Sequence, residues 1–92
     1  MNILVIGSGG REYTLTWKIS QRLHSERLFV APGNAGTDLI AENVEIDVND
    51  FKQLGNFAAE NDVELVVVGP EDPLVNGIRD YFQADDRLKE IA

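Results

Sequence analysis

Ile3-Leu4-Val5-Ile6-Gly7-Ser8-Gly9-Gly10-Arg11-Glu12 runs from an unbroken aliphatic stretch into a glycine cluster and then into a helical pattern. A strand that is apolar without alternation is one covered on both faces, as in a parallel sheet. Leu15, Ile19 and Leu23 follow at helical spacing, with Tyr13 and Trp17 beside them. His24-Ser25-Glu26 is expected to end that helix, with His24 on the surface. Working outward, Arg27–Val30 reads as a second strand and Ala31-Pro32-Gly33-Asn34-Ala35-Gly36 as the loop that stops it. Val44-Glu45-Ile46-Asp47 alternates like a short edge strand.

Asn49 or Asp50 caps a second helix carrying Phe51, Leu54, Phe57 and Ala58. Val63–Val68 is the most apolar segment, and Gly69-Pro70-Glu71-Asp72-Pro73 breaks it. A third helix is expected over Leu74–Phe82, starting near Pro73, with Leu74, Ile78 and Phe82 on one side. The polar tail from Gln83 to Ala92, with Leu88 and Ile91 as its large apolar residues, reads as helical or frayed. Trp17, Phe51, Phe57 and Phe82 are assigned to the core.

Strand, helix, strand, short strand, helix, strand, helix is the order of an α/β fold with a parallel sheet and right-handed crossovers. The first strand belongs in the centre, with the Leu28 strand on one side and Val63–Val68 on the other. Loops leaving the carboxyl ends of such strands form the binding crevice. Here those are Gly7–Glu12, Ala31–Gly36 and Gly69–Pro73, the stretches richest in glycine and proline.

Composition narrows the chemistry. The 92 residues, 43% of them hydrophobic, support one small domain. A formal charge of −8 opposes nucleic-acid binding, which favours a basic stripe. There is no cysteine and one histidine, so neither a thiolate nor a histidine metal cluster is expected. The start of the chain has neither the basic leader of a signal peptide nor the length of a membrane span. A cytoplasmic location without membrane contact is the expectation.

The glycine cluster admits two readings. It is a tight strand-to-helix turn, or it brings backbone N–H groups and a helix start to a phosphate. Arg11 stands where the helix dipole disfavours a cation unless an anion is near. A dinucleotide fingerprint fails, because Glu12 holds the third glycine position and Val30-Ala31-Pro32 offers no acid for a ribose. A P-loop fails because no Gly-Lys-Ser/Thr follows. Alternatives are a sugar-phosphate or nucleotide module without catalysis, and a dehydrogenase half-domain, which the missing acid disfavours.

Three stretches then carry a resemblance: Val5–Glu12, Ala31-Pro32-Gly33-Asn34-Ala35-Gly36-Thr37, and Val67-Val68-Gly69-Pro70-Glu71-Asp72-Pro73-Leu74-Val75, with Trp17-Lys18 between. In order and spacing the chain resembles the amino-terminal domain of the phosphoribosylamine–glycine ligase family, within the ATP-grasp superfamily. Tyr13 and Thr14 stand where that family usually has histidine and alanine. The resemblance implies a Rossmann-like, pre-ATP-grasp sheet flanked by helices and truncated at its C-terminal edge. It implies an ATP-dependent carbon–nitrogen ligase of purine synthesis whose substrates are 5-phosphoribosylamine, glycine and ATP, with glycine activated as an acyl phosphate. The family is several times longer, so ATP and Mg2+ are expected outside these residues, and the piece alone is expected to be inactive. The implied substrate-binding residues are Gly9, Gly10, Arg11, Asn34 and Glu71, with no catalytic or metal-binding residue. Each has a plainer reading: a turn for the glycines, a surface ion pair with Glu12 for Arg11, a left-handed turn for Asn34. For the Glu71-Asp72 pair it is helix capping, to which Asp72 is better suited. Val63–Val68, left at an edge, is expected to recruit a second copy or the chain's own tail.

Overall fold

The aliphatic runs form strands and the glycine-rich stretches their exits, as a computed structural model of the chain shows; it describes residues 2–22, 27–89 and 91. The elements are β1 (Asn2–Gly7), α1 (Gly10–Ser20), β2 (Leu28–Pro32), a 3₁₀ turn at Thr37–Leu39, β3 (Glu42–Asn43), α2 (Phe51–Glu60), β4 (Val63–Val68), α3 (Glu71–Val75) and α4 (Ile78–Ala84). All pairings are parallel, in the order β3-β2-β1-β4. β1 is therefore central, with Val5 opposite Val30 on one side and Val67 on the other. β4 is the outer strand on its side of the sheet.

Strand side chains alternate between the two faces. Leu4, Ile6, Phe29 and Ala31 pack with Leu54, Ala58, Ile78, Phe82 and Leu88 from α2, α4 and the tail. Phe29 and Phe57 meet edge to face at 4.8 Å. Ile3, Val5, Leu28 and Val30 form a smaller cluster on the other face, with Ile19, Leu65 and Val67 against it. Asp50 caps α2 by accepting the Gln53 N–H at 3.2 Å, while Asn49 accepts from Asn76 instead. No helix of the described residues is long and apolar enough to cross a membrane.

Four expectations need correction. The edge strand lies at Glu42–Asn43, not Val44–Asp47. The Asn43 amide is held by Asn34 and Thr37, and Arg27 grips Glu42 through two hydrogen bonds, so those two residues are fixed beside β2. That grip also draws the Glu42 carboxyl below its ordinary pKa. The ladder ends when Ile46 folds back on the Val44 carbonyl and turns into the core.

Trp17 is not core: it is 47% exposed. The buried line of α1 is Glu12 and Thr16, with Leu15 and Ile19 half-buried, and Trp17 lies about 100° around the helix from Thr16. Leu23 and His24–Glu26 lie outside the described residues. The third helix is two, because Asn76-Gly77 interrupts it with Gly77 at φ +92°. Ile78 and Phe82 are buried as expected, but Leu74 is exposed. Last, α3 starts at Glu71 with Pro70 at its cap position, so Asp72 lies inside the first turn and caps nothing.

The tail is partly ordered by packing. α4 ends at Ala84, and Leu88 is fully buried against Gly55, whose Cβ, if present, would lie 2.8 Å from Leu88 Cδ1. Ile91 borders a groove of about 450 Å³ beside Val66 and Val68. Leu88 thus seals the larger core. Leu88→Ala is expected to lower unfolding free energy by about 2–5 kcal/mol in urea melts, as for other buried leucines; a loss under about 1 kcal/mol would mean the tail is not packed there.

Candidate functional site

The three loops at the carboxyl ends of β1, β2 and β4 come together as the topology requires. They are joined by hydrogen bonds rather than by apolar contact. Gly33 N–H donates to the Gly7 carbonyl at 2.9 Å, and Gly69 N–H to the Ile6 carbonyl at 3.0 Å. Both continue the ladders of β1 past the last strand residues.

Glu12 sits where the first and third loops meet and is 5% exposed. Its Oε2 accepts the Gly9 N–H at 3.0 Å. This is half of a capping box: the acid at the third helical position satisfies the cap residue's N–H, while Gly9 has no side chain to return the bond. The carboxylate explains three glycines. A Cβ on Gly7 or on Gly69 would lie 2.7 Å from Glu12 Cδ, and one on Gly9 would lie 2.9 Å from Oε2. Gly7 also has φ +145°, a conformation side chains disfavour. Gly10 differs, since a Cβ there would meet nothing within 4 Å.

Arg11 is exposed and turns across the crevice, its Nη2 donating to the Gly69 carbonyl at 2.9 Å. Among the described residues it forms no ion pair with Glu12, which lies buried instead. Asn34 has ordinary φ, so the left-handed turn is not formed; φ is positive at neighbouring Gly33. The Asn34 side-chain amide donates to the Ser8 carbonyl at 2.9 Å and the Gly9 carbonyl at 3.3 Å, and its oxygen accepts the Thr37 N–H. Thr37 Oγ1 accepts the Asn34 N–H and donates to Asn43. This network fixes the second loop against the first. Glu71 is exposed at the start of α3, two residues past Gly69. The structure thus gathers Gly9, Gly10, Arg11 and Asn34 around one loop and leaves Glu71 on the rim.

Among the described residues, no three His, Cys, Asp or Glu side chains converge on a point, and no lysine follows the glycine loop.

The family model for "Phosphoribosylglycinamide synthetase, N domain" matches residues 1–91. The chain belongs to this family. The chain is 56% identical over 86 residues to a phosphoribosylamine–glycine ligase of Pseudomonas syringae, an alignment that covers 91% of the chain and 20% of the relative. Proteins of the same name from Rhodopirellula baltica and Pasteurella multocida are each 54% identical, over 79 and 86 residues, covering 86% and 91% of the chain. The chain spans about a fifth of the length of these relatives.

Tyr13 follows the glycine loop on the first turn of α1. Its ring lies over Gly36, where a Cβ would come within 2.8 Å of Cδ2, and it is 37% exposed at the crevice wall. Sequence reasoning missed Glu12, Thr37, Asn43 and Gly69 as builders of the site. For Glu12 the signal was present, an acid three residues after a cap glycine; for Thr37 and Asn43 nothing local marks the network they share.

Proposed function

We propose that this domain holds 5-phosphoribosylamine for a ligase that joins it to glycine with ATP, giving glycinamide ribonucleotide in purine synthesis. The observation that carries the reading is Gly10. The other glycines of the crevice are accounted for by protein neighbours, but Gly10 faces open space at the first position of α1. No neighbour in the protein accounts for a glycine there, and the lack of a Cβ lets a ligand approach the helix N–H groups closely. In this reading Gly9 and Gly10 meet the phosphate or ribose with backbone groups. Arg11 moves from Gly69 to add a charge-assisted bond. Asn34 holds the loop and reaches a ribose hydroxyl, and Glu71 accepts from the ribose or the amine. ATP, Mg2+ and glycine bind outside these residues, in the remainder of a cytoplasmic enzyme. Family membership and the identity to proteins named phosphoribosylamine–glycine ligase support the assignment.

Titrating the isotope-labelled chain with ribose 5-phosphate should move the amide signals of Gly9, Gly10 and Arg11 most, with Mg-ATP moving them little. Largest shifts away from these loops would overturn the site.

The proposal extends to the outer edge of β4. Its far side has no strand partner among the described residues, and unpaired edges recruit strands. Two copies of the isolated chain are proposed to pair along Val63–Val68. Light scattering should show mass rising toward the dimer with concentration; a constant monomer mass up to millimolar chain contradicts this.

A further inference from the structure

Glu12 has two oxygens and the fold uses one. The Gly9 N–H goes to Oε2, and among the described residues no other donor reaches this carboxylate. No fully buried side-chain oxygen or nitrogen among those residues lacks a partner, so Oε1 keeps contact with solvent in a side chain otherwise enclosed. Its surroundings fix where it points. Oε1 lies beside Gly69 and Gly7, where the first and third loops meet. Gly9 holds the neighbouring oxygen, and the carboxylate fills the space that side chains at Gly7 and Gly69 would need. A carboxylate presents acceptors only. A ligand group meeting it must therefore be a donor, a hydroxyl or an amine, and never the phosphate.

We propose that Glu12 is a binding residue of the crevice, its Oε1 accepting a hydrogen bond from a sugar hydroxyl or an amine while its Oε2 holds the glycine loop. This rests on the reading of the crevice as a sugar-phosphate site and adds the group that recognises the sugar part. It also gives the third-position acid a reason. The carboxylate repels an anion placed deep between the loops, so the phosphate stays at the open side by Gly10 and the polyol or amine end turns inward.

The test uses the 92-residue chain, with ribose 5-phosphate and inorganic phosphate titrated separately by amide NMR. Glu12→Gln can still offer a carbonyl oxygen to Gly9, but it then presents an NH2 group where the ligand needs an acceptor. The expected result is a loss of roughly tenfold or more in ribose 5-phosphate affinity, the consequence of losing one bond to a charged acceptor, with phosphate affinity changed less than about twofold. Glu12→Asp keeps the charge but withdraws it by one methylene, and should show the same selective loss if the glutamine variant fails to fold. Equal losses for both ligands, or no loss for either, overturn the proposal. Wild-type loops that respond to neither ligand overturn the sugar-phosphate reading itself and this inference with it. Loops that respond normally while Glu12→Gln has no selective effect overturn this inference alone.

Discussion

A carboxylate enclosed by glycines governs this crevice. Burying an unpaired charge costs several kcal/mol or more, so Glu12 can lie there only because the Gly9 N–H is aimed at it and part of it still meets water. The geometry leaves little latitude. Side chains at Gly7 or Gly69 would occupy the space of the carboxylate, so both strand exits must be bare backbone. The glycine loop is therefore first a housing for an acid. A phosphate reading of it rests on Gly10, which that acid does not explain.

From this constraint the rest of the site follows. With Gly9 fixed by Glu12, the Ser8 and Gly9 carbonyls are directed so that the Asn34 amide can bridge them, and Thr37 and Asn43 lock Asn34 in turn. Arg11, next to Glu12 but on the solvent side, closes the third loop through Gly69. Adjacent residues of one helix turn thus meet the third loop, Glu12 by lying against Gly69 and Arg11 by a hydrogen bond to the Gly69 carbonyl. Apart from the exposed Arg11, these loops have little ordering entropy left to lose when a ligand binds, which is the advantage of preorganisation. The apolar layers below fix the strands and so the spacing of the loops.

The fold was largely legible because its strands are long aliphatic runs separated by glycine and proline, a pattern that dictates a parallel sheet. Legibility failed where tertiary contact overrules local pattern. Val44–Asp47 alternates well, but side-chain bonds from Asn34, Thr37 and Arg27 place the edge strand at Glu42–Asn43. Trp17 looks like core by hydropathy, yet the buried side of α1 is the one that carries Glu12 and Thr16, and Trp17 is turned away from it. Asn76-Gly77 carried a turn signal inside a helical pattern, and the signal prevailed. At the site, the glycine loop, Arg11 and Asn34 could be picked out because glycine clusters at strand ends are conspicuous. Glu12 was passed over although an acid three residues after a cap glycine marks it, because hydropathy places an acid outside.

The central claim is that the loops are built around the Glu12 carboxylate before any ligand arrives. Amide hydrogen exchange on the free chain tests it most directly. The Gly9 N–H, held by Glu12, should exchange far more slowly than the Gly10 N–H beside it, for which the described residues supply no acceptor. Glu12→Ala should bring the two rates together. A Gly9 amide that exchanges as fast as Gly10 in the wild-type chain would contradict the account.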